Sequence, residues 1–364
     1  MSMTKSIRTK YLKVVDMKGC GWIPCRVGLF PSTWYKYKEK LEAIVLSHKK
    51  LFPNFTRGSI KFNDPSSLFG IRRTGNSFLD DWGCLWHFNI DGLQGQVVKH
   101  PLEDWSNFKN YSPPDPDKGI VPEGEPTIPW EAIEAHVENA RKRGDVVVVG
   151  MPHGFFFMRL HYLRGFTNLM KDFVLEPPQL YELIEMLTNY NLELVDRIAK
   201  LKVDMVSFGD DLGLQDRMPI SEKKFRKFIF PSYKKIFQRV RSSGARVYLH
   251  SDGHIMEVVD DLIEAGVSVI NLQDRVNGVE NIEKKIKGRV CIDLDVDRQH
   301  LLPFGTKEEI ERKIREYIVR LGSKRGGLML TAGIYPDVPL ENVDALCNAI
   351  EKYMNYYGSL EECA

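Results

Sequence analysis

Short apolar runs alternate with longer amphipathic runs over residues 129–360, and this alternation limits the possible folds more than any other feature of the sequence. The short runs are almost continuously apolar, which is typical of parallel strands buried on both faces. Strict alternation of strand and helix predicts parallel βαβ units. The predicted strands cover residues 145–150, 204–208, 246–250, 268–272, 289–294 and 327–331.

The amphipathic runs predict helices between these strands. Ser221 is expected to cap a helix that ends near Arg241 and is kinked by Pro231. Thr306 and Glu309 have the spacing of a capping box. The helices predicted from apolar periodicity cover residues 178–201, 254–265, 279–287, 306–321 and 340–357.

The first 125 residues are irregular and rich in aromatic side chains. If the sheet closes at eight strands, two of them must come from this region, and residues 21–29 and a segment within 61–72 are the candidates. Residues 78–98 have the pattern of a β-hairpin. Residues 111–126 are rich in Pro, Asp and Gly and are predicted to form a surface connection.

We therefore predict a single α/β domain over residues 1–364, a (β/α)8 TIM barrel. Residues 1–125 would form an irregular, aromatic-rich N-terminal extension with the first strands, and residues 129–360 the regular βα repeats. The sequence lacks the GxGxxG motif that usually accompanies an open doubly wound sheet, and this disfavours that alternative.

Composition excludes several classes of partner. The net charge is +2, so no strong field favours nucleic acid or an anionic membrane. The sequence has neither a signal-peptide core nor the roughly 20 consecutive apolar residues of a membrane span. Six cysteines without a CxxC pair are expected to be reduced thiols. We therefore expect a cytoplasmic protein that binds neither nucleic acid nor membrane.

Polar residues cluster where the predicted strands end, whereas the turns that lead into the strands carry nothing comparable. In a (β/α)8 barrel the reactive residues lie at the C-terminal ends of the strands. The sequence therefore predicts one cavity at these ends. The residues expected to face it are His153, Asp211, His250, Asp252 and Gln299.

Spacing gives the strand-end residues distinct roles. His250 and Asp252 are two apart, so in extended backbone both side chains face the same way. They would either bind a zinc-type metal, or the aspartate would simply orient a core histidine. Asp210 and Asp211 are adjacent, so one should face the cavity while the other binds backbone or a helix N-terminus; the alternative is that both are structural.

Two further residues remain open between a functional and a structural role. Trp82 lines a pocket for a flat substrate or packs in the core. Cys291 is a buried thiol or a metal ligand.

Several runs resemble the uroporphyrinogen decarboxylase superfamily, and together they cover most of residues 75–350. This resemblance implies a (β/α)8 barrel. The runs are residues 78–86, Leu163-Arg164-Gly165, and residues 218–237, 247–273, 294–310 and 332–346.

True uroporphyrinogen decarboxylases carry an N-terminal segment of the type RQAGRY, whose arginines hold the carboxylates of the porphyrinogen. The corresponding region here, residues 22–28, contains only Arg26. Since burying several carboxylates without paired cations is prohibitive, we expect no decarboxylation of uroporphyrinogen.

The other branch of the superfamily holds corrinoid-dependent methyltransferases, which bind zinc. Members acting on a thiol coenzyme have His-x-Cys after the fifth strand and a later Cys after the eighth. Here His250 matches the histidine, Asp252 replaces the first cysteine, and Gly333-Ile334 stands in place of the second. Without sulfur the metal would be a harder Lewis acid, suited to an oxygen substrate as in O-demethylases.

The resemblance therefore implies a methyltransferase that moves a methyl group from a small O-methyl or N-methyl compound to a corrinoid protein, with zinc assistance and the cobalamin carried by that partner. The metal ligands would be His250 and Asp252, with Asp211, Cys291 or Asp293 as the third. The expected catalytic residues are Asp211, His250 and Asp252, and the expected substrate-binding residues are Trp82, His153, Arg164, Gln299 and Tyr335.

Two other hypotheses stay open. The first is a metal-free lyase or decarboxylase of a small carboxylic acid, with Asp211 and His250 as acid and base. The second is a non-catalytic subunit that only binds a corrinoid partner. Whether the chain forms a homodimer is also left open.

Overall fold

The computed structural model describes residues 2–363, with side chains from residue 7 onward. The chain divides into two compact units. Unit 1 contains Ser77–His87 and Gly95–Asn271, together with the start of the chain through Arg8. Unit 2 contains Thr9–Asn76, Phe88–Gln94 and the chain from Leu272 onward.

The elements follow each other as the alternation predicts. The strands are β1 Cys25–Leu29, β2 Ser77–Leu79, β3 Leu85–His87, β4 Gln96–Lys99, β5 Val148–His153, β6 Met205–Gly209, β7 Arg246–Ser251, β8 Val269–Gln273, β9 Cys291–Asp295 and β10 Leu328–Ile334. The helices are α1 Ser2–Val15, α2 Pro31–Ser47, α3 Pro65–Phe69, α4 Trp130–Arg143, α5 Phe157–Arg164, α6 Phe166–Leu175, α7 Pro178–Lys200, α8 Glu222–Phe228, α9 Phe230–Ser242, α10 Val259–Ala265, α11 Asp274–Asn277, α12 Val279–Lys285, α13 Leu301–Phe304, α14 Lys307–Leu321 and α15 Leu340–Tyr353.

Within residues 2–363, β5, β6 and β7 of unit 1 lie side by side in the order β7-β6-β5, and the strands of unit 2 include the order β1-β10-β9. In unit 1, β5 pairs with β6 and β6 with β7, and both pairs are parallel. In unit 2, β1 and β9 each pair with β10, again in parallel. The predicted fold class, an α/β chain of the (β/α)8 barrel type, is confirmed.

All six strands predicted from the alternation are present, with ends displaced by at most three residues. The predicted segment 21–29 contains β1, whereas the strand predicted within 61–72 is wrong. Asp64 there accepts hydrogen bonds from the backbone N–H groups of Ser66 and Ser67, and Pro65 occupies the first helical position. This is the signature of a helix start, and the segment forms the short helix α3.

The segment 78–98, predicted as a hairpin, forms an antiparallel sheet in which β3 pairs with both β2 and β4. The Ser221 side chain caps α8 by accepting a hydrogen bond from the Lys224 N–H. The helix is interrupted at Ile229 and continues as α9, close to the kink predicted at Pro231. The capping box at the start of α14 is formed. The helix predicted over 254–265 begins only at Val259.

An aromatic cluster supports the ends of β5 and β6 in unit 1. The ring of Phe155 lies 4.9 Å from that of Phe208 and 5.0 Å from that of Tyr233. The ring of Phe237 lies 5.0 Å from that of Phe208. All four side chains are at most 3% exposed. Burying each ring is worth roughly 1.5–3 kcal/mol, so the residues just after these strand ends stand on a rigid base.

Two of the six cysteines are not free thiols, and for these the expectation from sequence is wrong. Cys20 and Cys363 form a disulfide, with their Cα atoms 4.9 Å apart. This separation lies in the range that a disulfide bridges without backbone movement. The free cysteines are Cys25, Cys84, Cys291 and Cys347.

None of the helices in the described part of the chain is long and apolar enough to cross a bilayer.

Candidate functional site

The strands β5, β6 and β7 of unit 1 bring three polar groups together at their C-terminal ends. The register places Gly209, the last residue of β6, opposite both His153 of β5 and His250 of β7. Asp210 and Asp211 follow Gly209 directly. A β-carbon at Gly209 would lie 2.5 Å from the His153 ring, so only glycine leaves room for this imidazole.

Asp211 lies between the two imidazoles. Its Oδ1 is 3.3 Å from His153 Nε2 and 3.7 Å from His250 Nε2. It also accepts a hydrogen bond of 3.0 Å from the backbone N–H of Asp252. The Oδ1 atom of Asp252 is 3.6 Å from His250 Nε2. The expected site residues His153, Asp211, His250 and Asp252 therefore meet in one cluster.

The donor atoms of His153, Asp211 and His250 all lie within 4.8 Å of one another. Metal–ligand bonds of about 2.0–2.1 Å in a tetrahedron place ligand atoms about 3.3–3.4 Å apart. The two measured distances to Asp211 Oδ1, 3.3 and 3.7 Å, are close to this spacing. Two imidazoles and a carboxylate are a ligand set that catalytic zinc sites use, so these residues fit a zinc-type ion.

His250 is oriented by Asn271 of β8, whose Oδ1 lies 2.5 Å from His250 Nδ1. Two buried carboxylates that follow strands, Asp210 and Asp274, have other partners. Asp210 is occupied by other donors, and Asp274 accepts a hydrogen bond from Tyr317. With Asn271 accepting the Nδ1 proton, Nε2 is the ring nitrogen of His250 that faces Asp211.

His153 is oriented by Glu123, whose two carboxylate oxygens each lie 3.3 Å from Nδ1. Burial lowers the pKa of His153, but its hydrogen bonds to Asp211 and Glu123 outweigh this and raise the pKa to about 11. Burial raises the pKa of Asp211, but the hydrogen bond and charge of His153 and the charge of His250 lower it to about 2. In the absence of a metal the pair is therefore charged at neutral pH.

Asp210 points away from the cluster and is fully buried. Its carboxylate accepts hydrogen bonds from the N–H groups of Phe157 and Met158, at 2.5 and 2.8 Å, and from the Tyr233 hydroxyl at 2.6 Å. The first two belong to the N-terminus of α5, as predicted for one of the two adjacent aspartates. Burial raises the pKa of Asp210 to about 6, although these hydrogen bonds oppose the shift.

The loops that carry Asp211 and Asp252 are in direct backbone contact. A β-carbon on Gly213 would lie 2.3 Å from the backbone nitrogen of His254, and one on Gly253 would lie 2.2 Å from Gly213. Gly213 N–H donates to the Asp252 carbonyl at 3.2 Å, and His254 N–H donates to the Leu214 carbonyl at 2.7 Å. The two glycines therefore fix the spacing of the two loops.

Two other expected substrate-binding residues lie elsewhere in unit 1. Trp82 is 2% exposed, packs edge-on against Tyr190 and has the Arg159 guanidinium 4.8 Å from its ring. Arg164 is buried and donates to Asp172 at 2.7 Å and to the Leu102 carbonyl. Both side chains are held by packing or hydrogen bonds within the core.

The remaining expected residues lie in unit 2. Cys291 is fully buried on β9, where burial and the charge of Asp293 raise the pKa of its thiol well above the ordinary value. Gln299 is exposed in a turn where its N–H donates to Asp297. Tyr335 stacks on Phe30 with ring centroids 4.2 Å apart. Their assignment as ligand or substrate-binding residues stays a prediction.

Sequence reasoning missed Glu123 and Asn271 and did not propose His153 as a ligand. A signal was present for each. Asn271 is a polar residue in the middle of the fully buried strand β8, and Glu123 follows the apolar pair Ile120-Val121 in a segment assigned to the surface. Polar groups in buried segments need partners, so such residues mark networks.

A family model described as Uroporphyrinogen decarboxylase (URO-D) matches residues 81–353, which is most of the chain. The chain belongs to the uroporphyrinogen decarboxylase family. The predicted superfamily is thus confirmed, and the matched region includes His153, Asp211 and His250.

Individual members of the family are distant relatives. The chloroplastic uroporphyrinogen decarboxylase of Zea mays is 24% identical over 265 residues, which cover 70% of this chain and 63% of the maize protein. That of Trichodesmium erythraeum is 20% identical over 272 residues, covering 71% of this chain and 70% of the relative. The match to the maize enzyme thus spans less than two thirds of its length.

Among solved structures, a methyltransferase from Methanosarcina mazei is similar over 95% of this chain and 98% of its own, with a TM-score of 0.62. The two sequences are 17% identical. At this identity the likeness shows a shared fold.

Proposed function

We propose that this chain is a methyltransferase that moves a methyl group from a small O-methyl or N-methyl compound to a corrinoid protein, assisted by a zinc-type ion. The observation that carries the proposal is the trio of donor atoms from His153, Asp211 and His250 within 4.8 Å of one another. None of these donors is sulfur. Nitrogen and oxygen donors make a harder Lewis acid, which favours oxygen or nitrogen at the substrate's leaving position.

One comparison and one sequence feature support this proposal. The methyltransferase from Methanosarcina mazei shares the fold over nearly the whole chain. Residues 22–28, which precede the family match, contain only Arg26 in place of the basic segment expected for a porphyrinogen octa-acid.

The chain's own residues have separate tasks in this reaction. His153, Asp211 and His250 would hold the ion, which when bound polarises the leaving oxygen or nitrogen, and the corrinoid of the partner supplies the methyl acceptor. Asn271 and Glu123 hold the two imidazoles with Nε2 toward Asp211. Asp252 Oδ1 lies 3.6 Å from His250 Nε2, and in its protonated form this carboxyl group would give a proton to the leaving group.

The ion is tested first. We expect purified wild-type protein to bind about one zinc ion per chain. His250→Ala should lose both the ion and the activity while the fold persists, because a strand-end residue does not support the core. Elemental analysis and circular dichroism measure the two effects. His136→Ala, which removes an exposed imidazole of the same unit, is the matched control and should retain the ion.

The reaction is tested by methyl transfer to free reduced cobalamin, followed by its absorbance. Methoxy-aromatic compounds and methylated amines should act as donors, whereas methyl thioethers should be much poorer. Metal-loaded protein that transfers no methyl group from any of these donors would refute the methyltransferase. If it still bound a corrinoid protein, the hypothesis of a non-catalytic subunit would replace it.

A metal-free lyase is the second candidate, and one observation favours it. His153 and Asp211 form a charged pair, with the pKa of His153 raised to about 11 and that of Asp211 lowered to about 2. Without a metal, the imidazolium of such a pair would offer a cation to the carboxylate of a small acid. Full activity of chelator-treated protein on a small carboxylic acid would place the lyase ahead of the methyltransferase.

A further inference from the structure

The segment that carries Glu123, residues 120–128, is partly buried within unit 1. Ile120 and Ile128 form an antiparallel bridge that closes the segment. Ile120, Val121 and Glu123 are 3%, 1% and 7% exposed. A carboxylate is rarely this buried unless it is paired, so its partners indicate what the segment does.

Glu123 joins two side chains of the same unit. Its Oε1 accepts a hydrogen bond of 2.5 Å from the Tyr162 hydroxyl. Both of its carboxylate oxygens lie 3.3 Å from His153 Nδ1. The other nitrogen of that ring, Nε2, is the atom that lies 3.3 Å from Asp211 Oδ1. The Glu123 carboxylate thus contacts Nδ1, on the edge of the imidazole ring that points away from Asp211.

The position of Glu123 is fixed from three sides. Tyr162 packs edge-on against Trp86, with ring centroids 4.9 Å apart. Gly124 has a φ of +61°, and a β-carbon there would lie 3.0 Å from the Trp86 ring. A β-carbon on Gly154 would lie 2.8 Å from Glu123 Oε1. Two glycines therefore allow a close fit that leaves the carboxylate little freedom.

We infer that Glu123 is a positioning residue that accepts the Nδ1 proton of His153, and so fixes the tautomer whose bare Nε2 faces Asp211. A ligating histidine needs its other nitrogen protonated and held, and a carboxylate in this place also makes the imidazole more basic. Tyr162 acts through Glu123 by holding Oε1. This inference rests on the proposed metal-binding function.

The test compares Zn²⁺ affinity, by competition with a chelator, in wild type, Glu123→Gln and Tyr162→Phe. Loss of an orienting partner typically weakens metal binding by about 10- to 100-fold, and we expect this for Glu123→Gln. Tyr162→Phe keeps the ring packing and should show a smaller loss, of a few-fold. Glu125→Gln removes a charge from the same segment and is the matched control, with unchanged affinity.

The visible spectrum of the Co²⁺-substituted protein gives a readout that a purely structural role would not change. We expect altered bands in Glu123→Gln and wild-type bands in Glu125→Gln. Wild-type affinity and spectrum in Glu123→Gln would refute the inference and leave the proposed function standing. Wild-type protein that binds no Zn²⁺ would instead refute the metal-assisted function, and the inference with it. If Glu123→Gln does not fold, unchanged affinity in Tyr162→Phe is the refuting result.

Discussion

Asp210 and Asp211 are neighbours in sequence, yet their carboxyl groups shift in opposite directions. The pKa of Asp210 is raised to about 6 because burial outweighs three neutral hydrogen-bond donors. The pKa of Asp211 is lowered to about 2 because two imidazoles outweigh burial. The alternation of side chains in extended backbone sends one carboxylate under α5 and the other into the site. This division of roles was predictable from the adjacent pair, although which aspartate took which role was not.

Asp274 in unit 2 allows a clean test of a buried carboxylate. Burial raises its pKa to about 6, although Tyr317 donates a hydrogen bond to it. Between pH 4 and 6 the folded state therefore holds a proton that the unfolded state has lost, so this contribution to stability is present at low pH and disappears as the pH rises through 6.

Asp274→Asn cannot ionise, so its stability relative to wild type should rise by about 2 kcal/mol from pH 4.5 to 7.5. Urea unfolding at several pH values measures the difference. Asp337→Asn, which changes an exposed aspartate of the same unit, should show a flat difference. A flat difference for Asp274→Asn as well would contradict the raised pKa.

At the scale of elements, the contact between Gly213 and Gly253 holds the loops after β6 and β7 together. A methyl group on Gly213 would lie 2.3 Å from the His254 nitrogen, and a backbone atom cannot move aside as a side chain can. Gly213→Ala should therefore cost about 2 to 4 kcal/mol and weaken metal binding, since it displaces the loop that carries the proposed ligand Asp211. Chemical unfolding and Zn²⁺ titration measure the two effects.

Gly244 and Gly253 separate steric contact from backbone strain. Both have positive φ, +86° and +82°, but a β-carbon on Gly244 would meet nothing within 4 Å. Gly244→Ala should cost only about 1–2 kcal/mol, for the left-handed conformation. Gly253→Ala should cost more than this. Equal losses in the two variants would show that the loops can separate freely.

The elements also show where sequence patterns succeed. The six later strands were predictable because each is a short, nearly continuous apolar run between amphipathic helices. The region before β5 was predictable only in part, because its strands are short and half exposed and its helices lack clear periodicity. Residues 65–69 are an example. Asp64 and Pro65 are a helix-start signal, but a strand was predicted there because a barrel of eight strands required one more.

For the molecule as a whole, the location of the site was easier to predict than its membership. The polar strand ends gave His153, Asp211, His250 and Asp252. Glu123 and Asn271 could not be derived, because they reach His153 and His250 across 30 and 21 positions of sequence. These contacts depend on which strands and loops become neighbours in the fold, and local sequence patterns do not predict that.

The disulfide between Cys20 and Cys363 changes the topology of the chain. The two residues are 343 positions apart, so in the oxidised protein nearly the whole polypeptide is a covalent macrocycle. A single proteolytic nick therefore linearises the molecule without dividing it. Trypsin cleavage after Arg217, whose side chain is 71% exposed, should give two fragments on a reducing gel and one band of undiminished mass without reductant. In Cys20→Ser the same nick should release two fragments under both conditions.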